Sequence, residues 1–284
     1  MWVLLLVSVA GFLAQLIDGS MGMGFGVSAT SLLLILAYSP AAASAVVHFA
    51  EVGTTAFSGI SHIKFGNVDW PTIIRIAVPG GLAAFVGAMV LSTIDLSAAR
   101  PWTSGVLLVL GAVIILRFLR MRVVQPLRPG RKRWLVPLGA VGGFVDSTGG
   151  GGWGPVVTTS LTVSGVLEPR KAIGTANAAE FVVAVSASAG FLFGLGANTI
   201  PWSAVLALMI GGLFAAPIAA WVVTVIPQRT LGSIVGFFIV ILNTHQLALA
   251  FELPGPARWL AFGVVLLAGV LTITLTGHRS VARD

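Results

Sequence analysis

The sequence has no cysteine and few charged residues. Asp, Glu, Lys and Arg make up 9% of the chain, whereas soluble domains carry roughly 25%. The missing cysteines exclude disulfides, thiolate metal sites and cysteine redox chemistry. Hydrophobic residues reach 57%, so too few polar side chains remain to cover a water-facing surface. The composition therefore excludes a soluble globular protein and predicts a membrane protein.

Long uncharged segments indicate the architecture. Residues 181–228 contain no charge and are long enough for about two transmembrane helices at roughly 20 residues each. Residues 76–94 and 231–251 each suit one such helix. We therefore predict an all-α polytopic membrane protein whose helices pack into one bundle.

The chain contains two copies of one pattern. The copies match at an offset of 128 residues around two glycine clusters and of 129 residues farther along. Shared composition alone would not align aspartate with aspartate and glutamate with glutamate, so the copies indicate a tandem duplication. The corresponding pairs are Asp18 and Asp146, Gly22 and Gly150, Gly24 and Gly152, His48 and Asn177, and Glu51 and Glu180.

Each copy is an apolar stretch broken by a glycine cluster and followed by three predicted helices. We assign repeat 1 to residues 1–118 and repeat 2 to residues 134–250, with a basic linker at 119–133. One extra helix and a tail occupy residues 251–284. The predicted helices cover residues 3–17, 27–38, 41–62, 72–91, 102–118, 135–145, 156–166, 170–193, 202–225, 231–250 and 257–276.

Basic residues predict the orientation. The densest positive cluster begins at Arg117 and ends at Arg133, and the positive-inside rule places it in the cytoplasm. If each glycine cluster enters the membrane and returns as a hairpin, most other basic residues and the C-terminus lie on the same side. Each repeat then crosses an odd number of times, which makes the repeats inverted, as is typical of secondary transporters. We expect a multi-pass membrane protein with a cytoplasmic linker and C-terminus.

The glycine clusters are the first candidate site. They interrupt apolar stretches at a depth where irregular backbone is tolerated only inside protein or beside a water-filled cavity. Glycine permits close approach, and bare N–H groups at the start of the following half-helix attract anions. The predicted substrate-binding residues are Asp18, Ser20, Gly22, Gly24, Asp146, Ser147, Thr148, Gly150, Gly151, Gly152, Trp153 and Asn177.

Two interpretations are open for the aspartates of these clusters. Asp18 and Asp146 either contact the substrate or cap the half-helices that follow them. Trp153 interrupts the second cluster, where a large ring is expected to gate or shape the site.

Buried acids are the second candidate site. Glu51 and Glu180 lie about half a span into their helices, where an ionised carboxylate costs at least roughly 2.5–3.5 kcal/mol. His48 and Asn177 precede them by three positions and share their helical faces. Glutamate at this depth is a natural proton carrier, and histidine titrates near neutral pH. We predict His48, Glu51 and Glu180 as proton-coupling residues, and the alternative is a static hydrogen bond between helices.

Three motifs together resemble the TauE/SafE sulfite exporter family. They are the paired aspartate-glycine clusters, the Gly-Asn-Val-Asp-Trp segment at 66–70 and the Pro-Arg-Lys-Ala-Ile-Gly-Thr-Ala-Asn segment at 169–177. The resemblance covers residues 11–250 and implies transport of small sulfur-containing anions, such as sulfite or sulfoacetate, across the bacterial inner membrane. Met21 and Met23 depart from the family pattern, in which we expect more glycine, and this difference is expected to alter substrate size or affinity.

The expected function is secondary transport of a small anion coupled to H⁺ or Na⁺, and the first alternative is a passive anion channel. A membrane-embedded enzyme is a further alternative, but the chain has no His-Glu-x-x-His motif and no Gly-x-Ser-x-Gly motif. We expect no cofactor, no metal and no nucleic-acid partner. The exact substrate, the direction of transport and the oligomeric state stay open.

Overall fold

A computed structural model describes residues 2–21, 23–119, 132–225 and 228–281. All secondary structure in these ranges is helical, which confirms the predicted all-α class. The eleven α-helices among the described residues are α1 Trp2–Met21, α2 Phe25–Ile35, α3 Pro40–Lys64, α4 Trp70–Thr93, α5 Leu96–Leu119, α6 Leu135–Gly149, α7 Thr159–Ser164, α8 Pro169–Leu195, α9 Trp202–Val225, α10 Gln228–Ala250 and α11 Gly255–Val281.

The outer surface of the bundle is apolar. Large hydrophobic side chains such as Leu82, Phe193 and Leu213 are between 69% and 77% exposed, an arrangement that water would oppose and lipid accepts. Within the described residues, the helices long and apolar enough to cross a membrane are Trp70–Thr93, Leu96–Leu119, Pro169–Leu195 and Thr230–Ala250. The protein is therefore a multi-pass membrane protein, as its composition predicted.

Side-chain caps and prolines set the starts of two membrane helices. Ser39 accepts a hydrogen bond from the amide of Ala42 at 3.3 Å at the start of α3. Asp69 likewise accepts from the amide of Thr72 at 3.2 Å at the start of α4. Pro40 occupies the first turn of α3, where its missing N–H leaves no bond unmade.

The helices run farther into the glycine clusters than the sequence predicted. Helix α1 continues through Asp18 to Met21, and α6 continues through Asp146 to Gly149. Backbone groups at this depth have few partners except one another, so the chain stays helical until glycine makes a turn possible. Each break is therefore shorter than expected, and both aspartates lie in the last turns of helices. Helix α5 also starts six residues earlier than predicted, at Leu96.

The chain reverses direction after the second break. A π-helical turn at Gly154–Thr158 leads from the break into α7. The space that a Cβ on Gly142 would need is taken by the side chain of Val157, so the returning segment lies against α6. Helix α2 packs against α1 in the same way after the first break.

Helices from the two halves of the chain pack in pairs. Helix α1 pairs with α9 and α4 with α6, and glycines allow backbone contact at both interfaces. In the α3 and α8 pair, Gly59 lies against Ala178 and Gly174 against Asn67, so these helices run antiparallel. Helices α5 and α10 are also antiparallel, because Gly111 meets Ile239 while Phe118 meets Gly232.

Candidate functional site

The two glycine breaks contact each other inside the bundle. The backbone of Gly151 lies against Gly26, so closely that a Cβ on Gly26 would meet the Cα of Gly151. The Thr30 hydroxyl donates a hydrogen bond to the carbonyl of Gly150. Gly150 and Gly151 have φ values of 70° and 136°, which favour glycine over any other residue. The tips of the two breaks therefore pack directly together and leave no space for an anion between these glycines.

Asp146 caps the segment that follows the second break. Its Oδ1 accepts hydrogen bonds from the amide nitrogens of Gly152 at 2.6 Å and Trp153 at 2.9 Å. The side chain is buried, so these charge-assisted bonds satisfy N–H groups that lipid and protein would otherwise leave unpaired. In this geometry Asp146 acts as a cap, which is one of the two interpretations its sequence position allowed.

His48 joins the first repeat to Asp146. Its Nε2 lies 3.2 Å from Asp146 Oδ2, and its Nδ1 lies 2.8 Å from the carbonyl oxygen of Ser44. A carbonyl only accepts, so Nδ1 is the donor to Ser44, and Nε2 faces the Asp146 carboxylate. Both side chains are buried. His48 and Asp146 therefore form a buried polar contact between the two repeats.

The other predicted residues of the second break are structural in this conformation. The Ser147 and Thr148 hydroxyls both donate to the carbonyl of Phe144, at 3.3 Å and 2.7 Å. The Trp153 indole N–H donates to the carbonyl of Ala176 at 2.9 Å, and its ring is completely buried. None of the three lines the cavity described below. Trp153 packs in the core rather than at a mouth.

The aspartate of the first break makes a longer contact than Asp146 does. Among the described residues, Asp18 accepts one hydrogen bond, at 3.4 Å, from the amide of Phe25. Gly24 has φ 118° and precedes the first residue of α2. Two predicted substrate-binding groups, Gly22 and the side chain of Ser20, lie outside the part of the chain that the structure describes.

A polar cavity of about 200 Å³ opens beside the first break, between α1, α3 and α8. Three carboxylates line it and no lysine or arginine does, so we call it the acidic cavity. Of the predicted site residues, it brings together Asp18, Glu51, Asn177 and Glu180. The lining residues are Gln15, Asp18, Phe25, Glu51, Thr54, Thr55, Ser58, His62, Ile173, Asn177 and Glu180.

Glu51 is the least satisfied acid of this cavity. Its side chain is 3% exposed, and among the described residues its Oε2 has no hydrogen-bond partner. Glu180, Asp146 and Asp18 act on it as neighbouring negative groups. A buried carboxylate beside several other acids needs a proton or a cation as counter-charge. The acidic cavity is therefore chemically suited to take up positive charge.

The same region has a spacing that suits a cation. Ligand atoms of His48, Glu51 and Asp146 lie within 4.8 Å of one another, and all three side chains are buried. Carboxylate oxygens suit hard cations, and imidazole nitrogen suits transition metals. The sequence predicted no metal site, and these three residues are the place in the described structure where one would fit.

Arg117 is a site residue that the sequence analysis missed. We had assigned it to the basic linker, most of which lies outside the described residues at 120–131. Its Nη1 donates to Thr159 Oγ1 at 2.8 Å and approaches Met23 Sδ at 3.0 Å, so it joins the first break to the start of α7, the helix that follows the second break. In the described part of the chain, no carboxylate lies within 4.0 Å of its guanidinium.

A helical pattern could have identified Arg117. Thr103 donates to the carbonyl of Thr148 at 3.0 Å, and seven residues later Leu110 lies beside Gly152. Arg117 follows after another seven residues and therefore shares the face of α5 that borders the second break.

Comparisons with known proteins agree with this architecture. The family model for the sulfite exporter TauE/SafE matches residues 7–245. A probable membrane transporter protein of Bacillus subtilis (strain 168), YtnM, is 44% identical over 287 residues, which cover 99% of this chain and 96% of the relative. A second probable membrane transporter protein of the same organism, YdhB, is 23% identical over 81% of this chain and 94% of its own. No solved structure matches the chain significantly. The chain belongs to the TauE/SafE sulfite exporter family of membrane transporters.

Proposed function

We propose that this protein is an ion-coupled secondary transporter of a small anion of sulfur metabolism, such as sulfite or an organosulfonate like sulfoacetate. The observation that carries the proposal is the acidic cavity beside the two touching breaks, with Glu51 Oε2 unpaired in the described structure. Such a group takes up positive charge readily, and its position against Gly26 links charge uptake to movement of the first break. The family resemblance supports the substrate class.

Proton uptake by Glu51 and Glu180 provides the coupling. An anion that approaches three ionised carboxylates is repelled, and protonation of the glutamates removes that repulsion. The transporter then carries proton and anion together and releases both when the cavity opens to the other side. We assign His48 to the same coupling pathway, because its Nε2 lies 3.2 Å from Asp146 Oδ2 at the junction of the two breaks.

Two inverted repeats provide alternating access in this proposal. Corresponding helices of inverted repeats are related by a twofold axis in the membrane plane, which reverses their direction. The antiparallel packing of α3 with α8 and of α5 with α10 supports this relation. The breaks then act as re-entrant hairpins, with the basic linker and the C-terminus in the cytoplasm of a bacterial cell.

Transport by reconstituted vesicles tests the coupling. We expect inward sulfite or sulfoacetate flux driven by an imposed pH gradient. Glu51→Gln and Glu180→Gln should each lower this flux at least tenfold and remove its pH dependence, because neither amide can exchange a proton. Glu168→Gln is the matched control, since Glu168 is exposed just before α8 and should behave as wild type.

Three outcomes separate the alternatives. Glutamate variants that match wild type in rate and pH dependence would exclude proton coupling through these residues. Flux that follows a sodium gradient at constant pH would assign Na⁺ as the coupling ion, with the His48, Glu51 and Asp146 cluster as its binding position. Anion currents far above any transporter turnover, without coupling to either gradient, would establish a passive channel instead.

A further inference from the structure

A histidine and two carboxylates converge where the two repeats meet. His48 and Glu51 lie three positions apart on one face of α3, and Asp146 lies in the last turn of α6. One nitrogen or oxygen atom from each residue lies within 4.8 Å of the other two, and all three residues are buried. We call this group the three-residue cluster.

The His48 ring is held as metal-binding histidines usually are. Its Nδ1 donates to the carbonyl oxygen of Ser44 at 2.8 Å, and the Phe191 ring packs beside it with centroids 5.9 Å apart. The hydrogen bond fixes the ring and, in the neutral imidazole, leaves a lone pair on Nε2. Nε2 lies 3.2 Å from Asp146 Oδ2, so two electron-rich atoms face the same point.

Glu51 gives an independent indication of a bound ion. Its side chain is 3% exposed, and its Oε2 has no hydrogen-bond partner among the described residues. A buried carboxylate oxygen without a donor costs free energy that a bound cation recovers. Glu51 also lines the acidic cavity, and no lysine or arginine is in the lining of that cavity. The lining therefore offers Glu51 neither a lysine nor an arginine as its counter-charge.

The chemistry of the three side chains selects among cations. One imidazole and two carboxylates suit first-row transition ions, whereas Ca²⁺ and Mg²⁺ prefer oxygen ligands alone. A Zn²⁺ ion binds nitrogen and oxygen at about 2.0–2.2 Å, so tetrahedral ligand atoms lie about 3.4 Å apart. The 3.2 Å between His48 Nε2 and Asp146 Oδ2 is close to that spacing. Because Glu51 lines the acidic cavity, an ion can enter from it, and water can supply the fourth ligand.

We propose that His48, Glu51 and Asp146 bind a divalent transition-metal ion such as Zn²⁺, and that the bound ion inhibits transport. The ion links α3 of the first repeat to α6 of the second, beside the contact between the two breaks. That link holds the breaks together and prevents the movement that transport requires. The binding site is independent of the proposed function, whereas the inhibition rests on it.

Calorimetry on the purified full-length protein, with any affinity tag removed, tests the binding site. We expect one Zn²⁺ to bind per chain, in the presence of excess Na⁺ and Mg²⁺. His48→Gln should raise the Kd for Zn²⁺ at least tenfold, because the variant loses the only nitrogen ligand of the cluster. His245→Gln is the matched control, since His245 lies on α10 outside the cluster and should not affect Zn²⁺ binding.

Co²⁺ is a spectroscopic probe of the same ligands. Because the chain has no cysteine, bound Co²⁺ should show weak visible bands of nitrogen and oxygen ligation, without a thiolate charge-transfer band. His48→Gln should shift or remove these bands, and His245→Gln should leave them unchanged. If His48→Gln does not fold, Glu51→Gln serves as the second variant, because Glu51 Oε2 makes no hydrogen bond in the described structure.

Two results would overturn the metal site. The first is a Zn²⁺ affinity and a Co²⁺ spectrum that are the same in wild type, His48→Gln and Glu51→Gln. The second is displacement of Zn²⁺ by Na⁺ at a comparable concentration, which would assign the cluster to a monovalent ion.

Transport measurements separate the inhibition from the proposed function. With Zn²⁺ on both sides of the vesicle membrane, sulfoacetate uptake should stop in wild type and His245→Gln, and the residual uptake of His48→Gln should be insensitive to Zn²⁺. Uptake by wild type that is unchanged at saturating Zn²⁺ would overturn the inhibition and leave the transporter. Vesicles that carry no anion under any gradient, with Zn²⁺ binding that depends on His48, would overturn the proposed function and leave the metal site.

Discussion

The two glycine breaks match in sequence but differ in how their aspartates are held. Asp146 receives two backbone hydrogen bonds of 2.6 Å and 2.9 Å and also contacts His48. Among the described residues, Asp18 receives one bond, of 3.4 Å, and it lines the acidic cavity. In the described structure the second aspartate therefore makes more and shorter bonds than the first. The same residue pattern contains a capping aspartate in one break and a cavity-lining aspartate in the other.

The residues that accompany the two aspartates explain the difference. His48 reaches Asp146 across the repeats, but its counterpart Asn177 donates instead to the carbonyl of Ile173 and accepts from Ser58. Trp153 is locked in the core by its indole hydrogen bond, whereas the corresponding Phe25 lines the cavity. The second break therefore differs from the first in one polar partner, His48 instead of Asn177, and in one aromatic residue, Trp153 instead of Phe25.

Removal of the two carboxylates should give the largest contrast between the breaks. Asp146→Ala leaves two amide groups and the buried His48 ring without their partner, so we expect a loss of about 3–5 kcal/mol in the free energy of unfolding. Asp18→Ala removes one long bond and should cost about 1 kcal/mol or less. Thermal unfolding in one detergent measures both. Equal losses for the two variants would contradict the assignment of different roles.

Replacement of His48, the polar partner of Asp146, should have an intermediate effect, which we expect to be larger on transport than on stability. His48→Asn removes the imidazole that contacts Asp146, and we expect the transport rate to fall about tenfold, equivalent to about 1.4 kcal/mol. His62→Asn is the control, because His62 lines the acidic cavity without an ion pair in the described structure. Proton-driven uptake that is unchanged in His48→Asn would show that His48 plays no part in coupling.

The smallest contrast concerns the loops before α4 and α9. Asp69 caps α4 and lies 3.2 Å from Lys132, while the corresponding residue in repeat 2 is the buried Ile200. Partial burial raises the pKa of Asp69, but hydrogen bonds from Thr72 and Lys132 outweigh it and hold the pKa below its usual value of 3.8. Because the pKa of Asp69 is lower in the folded state than in the unfolded state, the ionised carboxylate stabilises the protein at pH values above the unfolded-state pKa.

Asp69→Asn should therefore cost less than about 1 kcal/mol at neutral pH, because the ion pair is partly exposed. The difference in melting temperature between wild type and Asp69→Asn should stay constant from pH 7 to about pH 4.5. It should shrink as the pH falls below about 4, where the carboxylate becomes protonated. A difference that grows on acidification would have the wrong sign for a lowered pKa.

Much of the fold followed from local patterns in the sequence. Hydropathy predicted the helices, and the glycines at 149–152 predicted a break that the structure places at Gly150–Gly152. The extent of α1 and α6 was wrong because helices in an apolar interior persist wherever no turn is required. Helical periodicity placed Glu51 and Asn177 on interior faces of their helices. The sequence predicted a site between the two breaks, whereas the structure has a cavity that these two residues line together with Asp18 and Glu180.

The candidate site depended on contacts that no local pattern contains. The bond between His48 and Asp146 joins residues 98 positions apart, and the contact between Thr30 and Gly150 joins residues 120 positions apart. Arg117 was assigned to topology because its charge lies beside other basic residues, yet its guanidinium contacts Met23 and Thr159. The sequence neighbours of Arg117 predicted a role in membrane orientation, whereas its spatial neighbours indicate a role in holding Met23 and Thr159.

Composition, hydropathy and the duplicated motif by themselves determined that this protein is a helical membrane protein of the TauE/SafE family with two glycine breaks and buried acids. These properties depend on local backbone preference and on transfer from water to lipid, which each segment expresses on its own. Only the tertiary structure decided which aspartate is capped, which one faces a cavity, and which acids line that cavity together. Those outcomes depend on distances between side chains from different helices, and such distances exist only once the helices pack.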